Sequence, residues 1–254
     1  MTVRRKLLTN SKIVLYCNDS DQEVRMGGLG IIKEVFMYHY VEDKVFLKKM
    51  RRVCSDIINR LVQAINRDEY LQVEANLVGS GARNLITQNG EEPIDLDYNL
   101  CICKAPDIRD GRKIKEYIRK KFNEVLRKNN WNDCEDSTLA LTTEKRHLKG
   151  NQTKFSIDIG IVYVNQAGWH RLKHEKTGIS KNDRYNWVQA PNSSRLLQKV
   201  QWIKRNNGWS MVRDTYLKKK NMYLQRNDHS HHSFNVYLET INEVYNSMQK
   251  RNNR

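Results

Sequence analysis

The chain has 254 residues and a formal net charge of +16, with 45 Lys and Arg against 29 Asp and Glu. Such a length allows one large domain or two small ones with a substantial core, and the charge argues for anionic partners without bearing on the fold. There is no apolar run of 18 residues, and the start Met1-Thr2-Val3-Arg4-Arg5-Lys6 lacks an h-region, so a soluble, cytoplasmic protein without a membrane span is expected. Cys17, Cys54, Cys101, Cys103 and Cys134 are odd in number and form no CxxC pair, which argues against a disulfide framework and a structural zinc site.

Residues 1–20 have no persistent period and read as an irregular or weakly helical arm. From Val41, apolar residues recur at Val45, Phe46, Met50, Val53, Ile57, Leu61 and Ile65, which predicts one long amphipathic helix ending near Asn66. A strand over Val73–Val78 leads into Leu77-Val78-Gly79-Ser80-Gly81-Ala82-Arg83, a Gly-Ser turn of the kind that lets backbone N–H groups approach phosphate oxygens. Next comes Ile94-Asp95-Leu96-Asp97-Tyr98-Asn99-Leu100, whose strict alternation predicts a half-buried strand. Asp95 and Asp97 then leave the same face, opposite the aliphatic core.

A D-x-D on a strand is commonly an ordinary solvated edge. Two close carboxylates nevertheless repel each other, and Mg²⁺, or Mn²⁺ in its place, is the counter-charge that also binds substrate phosphates. Phe155-Ser156-Ile157-Asp158-Ile159-Gly160-Ile161 alternates again and presents a third carboxylate, Asp158. Three carboxylates on two strand faces beside a phosphate-cradling Gly-Ser turn suggest a two-metal phosphoryl-transfer site.

Between these strands, Asp110 is placed to cap a helix with an apolar face of Ile114, Tyr117, Ile118, Phe122, Val125 and Leu126. Its Lys- and Arg-rich opposite face reads as solvated surface or as a nucleic-acid contact. Trp131–Asp136 reads as a loop, Ser137–Thr143 as a strand and Glu144–Gln152 as a polar turn. Beyond about residue 166 the strand patterns are expected to stop, leaving helices over Ser194–Asn206, Ser210–Lys220 and Ser233–Met248. Residues 166–254 hold 17 Lys and Arg against 6 Asp and Glu, so most of the excess charge falls there. His229, His231 and His232 lack a cysteine partner and read as capping or surface residues, while His170 and His174 lack the glutamate of H-E-x-x-H.

The order of strand, Gly-Ser, D-h-D strand and later h-D-h strand resembles the DNA polymerase β-like nucleotidyltransferase superfamily. The long first helix and helical C-terminal half look most like its oligoadenylate-synthase and cyclic-GMP-AMP-synthase branch, bacterial relatives included. The motif-bearing part covers residues 71–165. One departure is a longer gap between Ser80 and Asp95, which fits an insertion at Gln88-Asn89-Gly90-Glu91-Glu92-Pro93. The resemblance implies a two-lobed α/β (α+β) fold, with a mixed-sheet catalytic lobe over residues 1–165 and a helical lobe over 166–254.

It also implies that Gly79 and Ser80 hold the β- and γ-phosphates of an NTP and that Asp95, Asp97 and Asp158 bind Mg²⁺. One of the aromatics Tyr185 and Trp187, Tyr185 foremost, would stack on the base. A lysine of the helical half, Lys199 ahead of Lys204, would reach the triphosphate. The expected reaction is transfer of an NMP to a hydroxyl with release of pyrophosphate, giving a cyclic or linear oligonucleotide. An RNA end as acceptor, or a non-catalytic module binding RNA or DNA through the basic surface, are the other readings of the same residues.

Overall fold

The computed structural model describes residues 37–190, 194–228 and 232–252; the arm expected over residues 1–20, His229 and His231 lie outside them. Strand β1 (Tyr38–Tyr40) precedes helix α1 (Lys44–Asn66). Asp43 caps α1 by accepting from the Phe46 amide at 2.8 Å, a cap worth about 0.5–2 kcal/mol over alanine. The helix buries Phe46, Met50, Cys54, Ile57, Ile58, Leu61 and Ile65, whereas Val45 is 64% exposed and only lengthens the apparent stripe.

Strand β2 (Gln72–Leu77) runs into a single helical turn, α2 (Gly79–Arg83), followed by β3 (Thr87–Asn89) and β4 (Ile94–Lys104). The insertion read at Gln88–Pro93 therefore begins in a strand, because β3 pairs with β1 in a two-stranded sheet. Helix α3 (Gly111–Lys128) is capped by Asp110, which accepts from the Lys113 amide at 3.0 Å. Two short strands, β5 (Glu135–Asp136) and β6 (Leu141–Thr142), replace the expected loop and longer strand. A tight turn separates them, with Ser137 N and Oγ both donating to the Ala140 carbonyl. After β7 (Arg146–His147) comes β8 (Lys154–Asn165).

The strand patterns do not stop at residue 166. Strands β9 (Gly168–Glu175) and β10 (Arg184–Gln189) extend the main sheet, whose order is β10-β9-β8-β4-β2. The sequence hides β9 because only Leu172 and His174 are buried along it, so no apolar alternation is left to read. The helical part consequently starts later than expected, with α4 (Ser194–Arg205), α5 (Trp209–Gln225) and α6 (Ser233–Asn252).

Strands β4 and β8 are parallel and their other neighbours antiparallel, giving a mixed sheet. Helices α1 and α3 pack with Ile94, Leu96, Leu100, Ile157, Ile159 and Ile161 in one core. A second core joins α4, α5 and α6 through Ile203, Val212, Tyr216, Tyr237, Ile241 and Val244, and Leu85, from the segment after α2, belongs to it. This leaves the alternate residues of β4 and β8, Asp95, Asp97 and Asp158 among them, on the face away from α1 and α3. No helix among the described residues is long and apolar enough to cross a membrane.

Candidate active site

In the parallel register of β4 and β8, Asp95 stands opposite Ser156 and Asp97 opposite Asp158. The period of two sends all four side chains to one face. The Ser156 hydroxyl donates to Asp95 Oδ1. Asp97 is half-buried beside α2, because β2 ends by donating from the Val78 amide to the Asp97 carbonyl at 2.8 Å, after which the chain turns at Gly79 with φ +62°. A Cβ at Gly79 would collide with the Asp97 carboxylate. Glycine is thus required there both for the positive φ and for room.

Burial, followed by the charges of Asp158 and Asp95, pushes the Asp97 carboxyl up to about 6, with Arg171 and Arg83 partly offsetting them. Burial also raises Asp158, against a hydrogen bond from Thr142 and the Arg171 charge. Asp158 Oδ1 is buried without a hydrogen-bond partner. A buried orphan oxygen costs about 1–3 kcal/mol, more for a charged group, and a hard cation would relieve both it and the repulsion. The all-oxygen donor set fits Mg²⁺ or Mn²⁺. Among the described residues no three His, Cys, Asp or Glu side chains stand together in a geometry that could hold a metal ion.

Turn α2 is gripped from two directions. Arg51 of α1 donates to the Gly81 carbonyl at 3.0 Å and to Asn84 Oδ1 at 3.1 Å, and Arg213 of α5 donates to the Asn84 carbonyl. Ser80 is half-buried at the start of this turn, and its carbonyl accepts from the Leu85 amide. Arg83 lies over the Tyr237 ring at 4.4 Å.

Other expected residues lie elsewhere. Lys199 donates to Asn242 Oδ1 at 2.6 Å and lies 5.4 Å from the Tyr245 ring, both on α6; Lys204 lies over Trp209. Tyr185 stacks on His174 at 4.2 Å, with Arg112 of α3 on its ring at 4.8 Å. Trp187 donates from its indole to the Ile108 carbonyl at 2.7 Å. The registers of β8, β9 and β10 put both aromatics on the helix side of the sheet, opposite the carboxylates. His170 stacks on Tyr163, and His174 is held between Asp136 and Asp183.

The structure adds Lys220, in a Lys218-Lys219-Lys220 run that no sequence pattern resolves. Its Nζ donates to Thr87 Oγ1 at 2.9 Å and sits 3.7 Å from the centre of the Tyr38 ring. Burial lowers its ammonium to about 8. One turn before it, burial raises the phenol of Tyr216, with smaller opposing effects of Arg83, which lowers it, and Asp97, which raises it. Lys220, Tyr38, Tyr223, Asp228, His232 and Ser233 line a cavity of about 220 Å³.

No protein-family model matches the sequence, and no curated protein matches it. Among solved structures, CdnC of E. coli MS115-1, determined with ATP, is similar with a TM-score of 0.52 and 14% identity, over 83% of this chain. The match takes in 62% of the CdnC chain, less than two thirds of its length. The CdnE cyclic dinucleotide synthase of Elizabethkingia meningoseptica, determined with GTP and Apcpp, gives a TM-score of 0.49 at 12% identity over 76% of this chain and 69% of its own. At 14% identity the likeness to CdnC shows a shared fold, a mixed sheet flanked by helices.

Proposed function

We propose that the protein is a Mg²⁺- or Mn²⁺-dependent nucleotidyltransferase that moves an NMP from an NTP to a nucleotide hydroxyl, building a cyclic or linear oligonucleotide. The observation that carries this reading is the placement of Asp97 beside Asp158 in the β4–β8 register, with a buried orphan oxygen on Asp158 and the Gly79 turn pressed against Asp97. Asp95 and Asp97 would hold the metals, and Asp158 the one on the acceptor side. Bound there, a divalent ion supplies charge stabilisation at the α-phosphate and acidifies the acceptor hydroxyl.

The chain's own groups do the rest. Ser80 and the amides around Gly79 hold the β- and γ-phosphates. Lys220 takes the triphosphate role expected of a helical-half lysine, because it is half-buried and donates to Thr87 in the segment following α2, whereas Lys199 donates to Asn242 of α6. The Asp158 carboxylate takes the proton of the attacking hydroxyl. The hydroxyl oxygen forms its bond to the α-phosphorus as the bond to the bridging oxygen breaks, and pyrophosphate leaves in line.

Incubation with all four NTPs and Mg²⁺ or Mn²⁺, followed by mass spectrometry, tests the reading. Wild-type protein should release pyrophosphate and form phosphodiester products, short and phosphatase-resistant when cyclic. The variant carrying Asp95→Asn and Asp97→Asn should form none, and turnover of NTP by that variant at the wild-type rate would refute the assignment.

A further inference from the structure

Two hydroxyls approach the carboxylates from within the sheet. Ser156, 2% exposed and opposite Asp95 in the β4–β8 register, donates to Asp95 Oδ1. Thr142 stands opposite Asp158 in the β6–β8 register, on the same face, and donates to its carboxylate. Asp158 Oδ1 nevertheless keeps no hydrogen-bond partner. Each of these two acids thus meets one neutral donor and retains capacity to accept more.

The fold fixes both donors. Ser156 belongs to β8 itself. Strand β6 has only two residues, yet its place is set from two sides. Next to Thr142, the Thr143 amide donates to the Ile157 carbonyl at 3.0 Å, and Thr143 Oγ1 accepts from the Ile157 amide at 2.9 Å. Strand β5 pairs with β6 on its other side, and Asp136 of β5 is held by Lys115 at 2.6 Å and by His174 at 3.0 Å. Lys115 and His174 are 2% and 4% exposed, so this anchor is shielded from water.

An aspartate has a broad second side-chain torsion, and repulsion between close carboxylates favours turning them apart. A hydroxyl that donates to one oxygen opposes that turn. It does so without the neutralisation that an Arg or Lys partner would bring, so the carboxylate's negative charge stays whole for a cation. Groups that orient a metal's carboxylate and imidazole ligands in this way typically contribute about 10–100-fold to metal affinity or activity.

We propose that Ser156 and Thr142 are positioning residues with separate duties: Ser156 aims Asp95 at the metal of the donor nucleotide, and Thr142 aims Asp158 at the attacking hydroxyl. This rests on the nucleotidyltransferase reading above and adds the two groups that orient its carboxylates.

The test separates binding from turnover. Mn²⁺ titrated into the protein with a non-hydrolysable ATP analogue, followed by electron paramagnetic resonance, gives a Kd. Pyrophosphate release from the four NTPs with Mn²⁺ gives kcat, and both are read well below each variant's melting transition. Ser156→Ala should weaken Mn²⁺ binding by about tenfold. Thr142→Val keeps the shape of threonine without its hydroxyl, and should lower kcat by about tenfold or more while the Mn²⁺ Kd stays within about twofold of wild type. Thr142→Ser returns the hydroxyl and should bring kcat to within about threefold of wild type. Wild-type Mn²⁺ affinity in Ser156→Ala, wild-type kcat in Thr142→Val, a Kd that weakens in step with that kcat, or a Thr142→Ser variant as slow as Thr142→Val would each overturn this inference alone. Wild-type protein that binds no Mn²⁺ with the analogue would sink the nucleotidyltransferase reading and this inference with it.

Discussion

The two faces of strands β4 and β8 are written by alternate residues of the same ten or so positions, and they obey opposite rules. On one face Leu96, Leu100, Ile157 and Ile159 are at most 1% exposed and meet α1 and α3, so that each side chain finds its partners within the fold. On the other, Asp95, Asp97 and Asp158 crowd like charges together, with one buried oxygen of Asp158 unpartnered among the described residues. One face is complete by itself; on the reading proposed above, a ligand completes the other. That reading gives stability and activity to neighbouring residues, and substitutions one position apart should have opposite effects.

The sharpest contrast is Leu96 against Asp97. Leu96→Ala should destabilise the fold by about 2–5 kcal/mol, as buried leucines do, with transfer activity retained at temperatures where the protein stays folded. Asp97→Asn should abolish transfer yet raise the stability of the ligand-free protein at pH 7 by on the order of 2–3 kcal/mol, the equivalent of moving a carboxyl from its ordinary value to about 6. The sign follows from the folded state holding that proton more tightly than the unfolded chain. Stability from this group is complete below about pH 4, falls as pH rises through about 6, and is flat above. Thermal melts of both variants across pH 4–8 would break the comparison if Asp97→Asn melted below wild type at pH 7.

Lys220 extends the contrast into the helical half. Lys220→Met should weaken binding of a Mg-NTP analogue by about 1.5–3 kcal/mol, the range of a charge-assisted hydrogen bond, and Lys199→Ala should leave it unchanged. Since burial holds the Lys220 ammonium at about 8 against an ordinary 10.5, the unfolded chain carries the extra proton between those values and ligand-free stability rises with pH across that window. Nucleotide affinity should move the other way, declining as pH passes 8, and Lys220→Arg should remove that decline. Calorimetry at pH 7 and pH 9 measures both. The smallest effect is expected from Ser80→Ala, about 0.5–1.5 kcal/mol in NTP binding for one hydrogen bond; unchanged affinity in titrations would move the phosphate site off α2.

Where the sequence was legible and where it was not follows from the same division. Residues that bury on a regular period announce themselves: the stripe of α1, the alternation of β4 and β8 and the Asp110 cap all stand where the pattern puts them. The three aspartates were legible because a polar residue on an apolar strand is conspicuous. Strand β9 was not, with His, Arg and Lys along its length. Lys220 differs from Lys218 only in what packs on it: one meets Tyr38 and Thr87, and the other is exposed. Tyr185 and Trp187 were conspicuous aromatics, but the register sends them to the core face, and only a strand pairing could have told the two faces apart.

The parallel pairing of β4 with β8 also sets when the carboxylate site can exist. Ser156 reaches Asp95 from 61 residues away, and parallel neighbours cannot be joined by a hairpin; here α3 and three short strands intervene. Such non-local pairing is slow, because the entropy of closing the loop is spent before any contact is gained. During synthesis β4 therefore emerges with an open edge and one strongly apolar face, the condition in which strands of different chains pair wrongly. Asp95 and Asp97 put two charges on the other face of that strand, and a second copy of β4 laid alongside would bring like charges together with no metal between them. The same carboxylates proposed to hold a cation in the finished site would thereby weaken wrong pairing of the unfinished sheet.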